Sequence, residues 1–111
     1  MQPKVAVAAV TFDRHEELTL LLKGLAEQTA PIHSIALVDS GTVPATAVVN
    51  AGGDNINYLR SEANLGGAGG FAYAILAAMA SGAEWIWMMD DDGHPEDASC
   101  LAELLKTAEE H

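Results

Sequence analysis

Asp90, Asp91 and Asp92 follow directly on an apolar run, Trp85-Ile86-Trp87-Met88-Met89. Adjacent carboxylates repel one another, so each raises the pKa of the next unless something compensates them. A hard divalent ion is such a compensation. Mg²⁺ or Mn²⁺ takes oxygen ligands from one or two carboxylates and fills its shell with water and phosphate oxygens. In a turn at a strand end, residues i and i+2 can both face a crevice, which makes Asp90 and Asp92 the candidate metal pair. A solvated acidic loop at a helix entry is the plainer alternative.

A second group is Gly66, Gly67, Gly69 and Gly70, ahead of an apolar helical pattern. Glycines at a helix start let backbone N–H groups approach an anion, where the helix end adds partial positive charge. A close helix–sheet contact would also account for them. Asp39 ends another apolar run, where its carboxylate can accept from a base N–H or a ribose hydroxyl, or simply cap the next turn. Thr11 and Phe12 can meet a base by hydrogen bonding and stacking. Arg14 and Arg60 are two of only five basic residues and suit phosphate.

These residues need a frame, and the apolar pattern supplies one. Val5–Val10 and Ile35–Val38 are continuous apolar runs of the kind buried on both faces of a sheet. Asn57–Arg60 and Trp85–Met89 complete four strands. Between them, Leu18, Leu21, Leu22 and Leu25 form a helical stripe, with Asp13 as its expected N-cap. Residues 42–55 hold at most a weak helical turn. The glycine-led helix presents Phe71, Ile75, Ala78 and Met79 on one face and closes at Gly82. A last helix carries Leu101, Leu104, Leu105 and Ala108, with Pro95, Glu96 and Asp97 at its entry. Strands alternating with helices predict an α/β fold with a mostly parallel sheet and flanking helices. Ligands bind such sheets at the carboxyl ends of the strands, near a switch in strand order. Every candidate above follows a strand.

Length and charge bound the partners. The 111 residues are half apolar and fit one small domain, which excludes a disordered tail. A single cysteine, Cys100, excludes an internal disulfide. Sixteen acidic against five basic residues give a net charge of −11, which repels nucleic acid over any broad surface. A small phosphorylated ligand is still compatible, because one metal ion inverts the local field. His15, His33, His94 and His111 read as surface residues, and Trp85 and Trp87 as packing on one sheet face. The N-terminal apolar run, Val5 to Val10, is six residues, shorter than a signal-peptide core or a spanning helix.

In order along the chain, Val10-Thr11-Phe12-Asp13-Arg14, Leu37-Val38-Asp39-Ser40-Gly41-Thr42, Arg60 with Asn64-Leu65-Gly66-Gly67-Ala68-Gly69-Gly70-Phe71, and Met88-Met89-Asp90-Asp91-Asp92 with Pro95 resemble the motifs of family 2 glycosyltransferases. The resemblance covers residues 5 to 107, and the glycine string and Trp-Ile-Trp are most similar to galactofuranosyl- and rhamnosyltransferase-like members. It implies a Rossmann-like (GT-A type) fold, with residues 1–111 as the nucleotide-sugar-binding part of an incomplete domain. Thr11, Phe12 and Asp39 would then hold uracil or another base. Arg14, Arg60, Asn64 and Gly67 would line the nucleotide pocket. Asp90 and Asp91 would approach ribose and metal, and Asp92 would ligate Mg²⁺ or Mn²⁺ at the diphosphate. The implied reaction transfers sugar, with inversion, from a nucleoside-diphosphate donor such as a UDP-sugar to a hydroxyl of a glycan or glycolipid acceptor. It belongs in the cytoplasm, or at the inner face of the cell membrane where other regions attach it.

The pattern departs from the family in one respect, because the general base and acceptor-binding half are expected beyond this chain. By itself the chain is expected to bind nucleotide weakly and turn over little. Three rivals stay open. Gly67-x-Gly69-x-x-Ala72 fits a relaxed NAD(P)-binding fingerprint. Asp90-x-Asp92-Gly93 resembles a haloacid-dehalogenase phosphatase motif, with Asp90 as nucleophile. A regulatory or oligomerisation domain without catalysis would show no cation-dependent ligand binding.

Overall fold

The computed structural model describes residues 3–61, 66–91, 93 and 95–110. The chain forms β1 (Val5–Thr11), α1 (His15–Ala26), β2 (Ser34–Asp39), α2 (Thr46–Ala51), β3 (Ile56–Arg60), α3 (Gly66–Ala80), β4 (Trp85–Asp90) and α4 (Cys100–Glu110). The strands make one sheet in the order β3-β2-β1-β4, and all three pairings are parallel. The sheet is thus wholly rather than mostly parallel. From β1 the chain steps outward to β2 and β3, then returns to place β4 on the other side of β1. The order therefore reverses between β1 and β4, which is where an α/β sheet opens a ligand crevice.

Residue size decides which helix covers which face. Val7, Ala9, Ile35 and Leu37 face α1, where Leu18, Leu21, Leu22 and Leu25 are buried against them with Val49 of α2 and Met89. The opposite face is built from small residues. Ala6 and Ala36 meet Ala78, and Ala8 and Val38 meet Ala74. A Cβ on Gly70 would lie 3.1 Å from Val10 Cγ1. Gly70, Ala74 and Ala78 therefore form the contact ridge that lets α3 lie close on the sheet. Met79, expected on the buried face, is exposed instead. Hydropathy favours the large side chain, but the narrow gap over an alanine-lined sheet admits only small ones.

Both ends of α1 depart from simple capping. Arg14, not Asp13, is the N-cap, and it makes no side-chain cap bond. At the other end Gln28 ties α1 to the segment before α4, with Nε2 donating to the carbonyl of Asp97 (2.8 Å) and Oε1 accepting from the Leu101 amide (3.0 Å). Gly82 ends α3 at φ +87°, as the sequence leads one to expect. The weak pattern over 42–55 resolves into the six-residue α2.

Leu21 is fully buried where α1 meets the sheet. Leu21→Ala should lower the unfolding free energy by about 2–5 kcal/mol. Urea denaturation measures this, and a loss below about 1 kcal/mol would show that the α1 face is not the main core.

Candidate functional site: a polar row at the strand ends

The final residues of the strands stand in register. Thr11 of β1 pairs with Asp39 of β2, which pairs with Arg60 of β3, and Val10 pairs with Asp90 of β4. Residues distant in sequence thus form one transverse row at the carboxyl edge. Among the described residues, the buried polar side chains are Thr11, Asp39 and Asp91, at 3%, 1% and 4% exposure. All three belong to this row. Burial of polar groups is costly unless they are hydrogen-bonded, so the row is where this fold departs from an all-apolar interior.

Asp39 is the best-supplied member. Its Oδ1 accepts from the Gly41 amide at 2.9 Å and lies 3.3 Å from Arg60 Nη1. Its Oδ2 accepts from the Ala45 amide at 3.0 Å and from the Tyr58 hydroxyl. Burial pushes the carboxyl up, but the donations from Tyr58, Gly41 and Ala45 and the Arg60 charge outweigh it and hold it below the ordinary value. The cap-like use of Asp39 left open by the sequence is therefore present. Any ligand contact would join donors already in place. Arg60 also donates to the carbonyl of Gly41 at 2.9 Å, so it fastens the β2–α2 loop from the far side. Burial and Asp39 push the Tyr58 phenol up.

Asp91 has the opposite balance. Its Oδ2 accepts from Thr11 Oγ1 at 3.1 Å. Burial pushes its carboxyl above the ordinary value and the neighbouring Asp90 adds to this, against donations from Thr11 and the Phe12 amide and the charge of Arg14. Asp91 therefore turns into the protein beneath the β1 end, while Asp90 is exposed and accepts from the Asp91 amide at 2.9 Å. Asp92 and Asn64 lie outside the described residues, as does His94. Among the described residues no three His, Cys, Asp or Glu side chains gather as a metal-holding group.

Phe12 follows β1 at the same edge and is 46% exposed. Gly67 lies in the first turn of α3 rather than in a loop ahead of it. Its helix begins beyond β3, at the same edge as the row. An NAD(P) fingerprint belongs instead in the turn after the first strand, beside the switch point. Here that turn is Phe12-Asp13-Arg14, without glycine.

Sequence reasoning missed two parts of the frame. One is Tyr58, which reads as an ordinary strand residue. The other is Asp13, whose φ of +54° is left-handed. Asp and Asn are the residues other than glycine that enter that region most readily, which is the one local hint. His15, expected on the open surface, pairs through Nε2 with the Val43 carbonyl at 3.0 Å.

A parallel α/β sheet with its polar residues gathered at the switch-point edge is the doubly wound type of fold, which takes its ligands at that edge. The match to known proteins is narrower. Residues 6–111 match the model of glycosyl transferase family 2, and the chain belongs to that family. It is 42% identical over 114 residues to galactofuranosyltransferase GlfT1 of Mycobacterium tuberculosis (strain ATCC 25618 / H37Rv), covering 100% of this chain and 38% of that protein. It is 40% identical over 108 residues to GlfT1 of Mycolicibacterium smegmatis (strain ATCC 700084 / mc(2)155), covering 96% and 36%. The chain thus spans little more than a third of the length of these relatives. The crystal structure of S. aureus TarS 1-349 superposes with a TM-score of 0.79 at 24% identity, over 97% of this chain and 33% of that one, and shares the fold. Among the described residues no helix is long and apolar enough to cross a membrane.

The two buried carboxylates should respond oppositely to neutralisation. Asp39 has a depressed pKa, so its contribution is present above the ordinary carboxylate pKa and is lost as pH falls through the depressed value. Asp39→Asn should therefore cost about 1–3 kcal/mol at pH 7. Asp91 has a raised pKa, so its ionised form is less favourable in the fold than in the unfolded chain, and the stability present below the ordinary carboxylate pKa is lost as pH rises through the raised value. Asp91→Asn should raise the Tm at pH 7, with the gap closing as the medium is acidified. Thermal melts across the carboxylate range decide this, and a lower Tm for Asp91→Asn at pH 7 would refute the assignment.

Proposed function

We propose that the chain is the donor-binding part of a glycosyltransferase that uses a UDP-linked sugar, with galactofuranose the sugar class suggested by the GlfT1 relatives. The observation carrying this reading is the row of buried polar residues at the β1/β4 switch point, inside a chain that belongs to family 2. A crystal structure of S. aureus TarS 1-349 in complex with UDP, superposing with a TM-score of 0.75, makes UDP the natural probe.

In this reading the exposed Phe12 ring stacks on the base, and Thr11 and Asp39 frame its edge. Arg14, Arg60, Asn64 and Gly67 line the pocket toward the diphosphate. Asp90 and Asp91 lie toward the ribose, and Asp90 with Asp92 would hold Mg²⁺ or Mn²⁺. The fit to a cation is supported by Asp91, beside that pair, whose carboxyl burial and Asp90 push above the ordinary value, so that positive charge added at this turn would offset the cost of its ionised form. When bound, the ion would supply positive charge for the departing diphosphate. The reaction breaks the bond from the anomeric carbon to the diphosphate while an acceptor hydroxyl of a glycan or glycolipid forms the new one, with inversion. The hydroxyl proton goes to a general base.

Calorimetric titration with UDP, in Mn²⁺ or in chelator, tests this. Binding should strengthen with the ion, and Asp92→Ala should weaken it at least roughly tenfold, about 1.4 kcal/mol. UDP affinity indifferent both to the ion and to Asp92→Ala would overturn the reading.

A further inference from the structure

Asp13 lies between Phe12 and Arg14, two residues assigned above to the nucleotide, yet its own side chain points elsewhere. Its left-handed backbone, φ +54°, swings the carboxylate from the β1–α1 loop across to the β2–α2 loop. There Oδ1 accepts from the Val43 amide at 3.0 Å and Oδ2 from Thr42 Oγ1 at 2.8 Å. Gly41 lies beneath this crossing. A Cβ there would come within 2.6 Å of Asp13 Oδ1 and 2.8 Å of its backbone N, so the approach requires glycine. Two further contacts join the same loops: His15 Nε2 with the Val43 carbonyl at 3.0 Å, and the Ser40 amide donating to the Thr11 carbonyl at 3.2 Å.

The crossing is poor as a helix cap, since α1 begins without any side-chain cap bond. It is also exposed, so it adds little to the core. Its geometric effect is to join two strand-end loops that border one crevice. We propose that Asp13 is a positioning residue for the nucleotide donor: its carboxylate latches the β1–α1 loop onto the β2–α2 loop and fixes Phe12 and Arg14 at the crevice mouth before the ligand arrives. Such pre-ordering lowers the cost of binding, because fewer groups must be immobilised by the ligand. This rests on the donor-site reading above.

Three variants separate latch from fold. Asp13→Gly keeps access to the left-handed turn and removes the carboxylate. Asp13→Asn keeps that access together with a side-chain oxygen. Gly41→Ala leaves the carboxylate intact and drives a methyl group into it. Each is melted and titrated with UDP in Mn²⁺, and exchange of the Val43 amide is followed without ligand. Asp13→Gly and Gly41→Ala should bind UDP roughly tenfold more weakly, with Asp13→Asn within about threefold of wild type. Asp13→Gly should also keep a Tm within a few degrees of wild type and lose protection at Val43. Wild-type affinity in Asp13→Gly overturns the latch and leaves the donor-site reading standing. An affinity loss that Asp13→Asn does not recover, or that tracks a collapse in Tm, also overturns it, in favour of a purely structural role. A wild type that binds no UDP overturns both.

Discussion

The site depends on one carboxylate that is never free. Asp39 ends β2 almost wholly out of solvent and gathers the amides of Gly41 and Ala45, the Tyr58 hydroxyl and the Arg60 guanidinium. A buried charge is tolerable only when paired and hydrogen-bonded, and here the partners come from the following loop, the start of α2 and the neighbouring strand. Through them Asp39 sets the path of residues 40–45. That path in turn places Gly41 where Asp13 can cross to it, and places Val43 within reach of both Asp13 and His15.

On the other side of β1 the same fold does the reverse. Asp91 is nearly as buried as Asp39, but burial and the adjacent Asp90 outweigh what Thr11, the Phe12 amide and Arg14 supply among the described residues. Two acids flanking one central strand therefore carry opposite electrostatic balances. The β2 side is settled within the protein, while the β4 side has negative charge that a bound cation would relieve. Groups kept in an unfavourable state by an otherwise well-satisfied structure are characteristic of places where a ligand completes the chemistry.

Much of this was legible in the residues. The strands and α1 follow from continuous apolar runs and a clean leucine stripe, and the polar residues that end or follow strands include Thr11, Asp39 and Asp91, which the fold buries. Three features escaped for physical reasons. The buried face of α3 was misjudged because hydropathy ranks Met79 above glycine and alanine, whereas the alanine-lined sheet admits only the smaller residues. Asp13 looked like a helix cap because local spacing cannot reveal that its carboxylate is bound to a loop 30 residues away. Tyr58 gave no signal, since a strand tyrosine shows its hydroxyl's partner only when the neighbouring strand is in register. The opposite charge balances of Asp39 and Asp91 depend on donors from several elements, which no linear pattern contains.

The strand order also governs how the molecule assembles. β4 pairs with β1 across 80 residues, as in Val5 with Trp85, and the Thr11–Asp91 bond spans the same interval. Contacts so remote must overcome a large loop-closure entropy and tend to form late. On a ribosome, β1, β2 and β3 can pair while β4 is still unmade, which leaves β1 as an edge with one ladder open. Such an edge is a template for stray pairing with other chains. The strand that brings the acidic turn is therefore also the one that covers the open edge of β1.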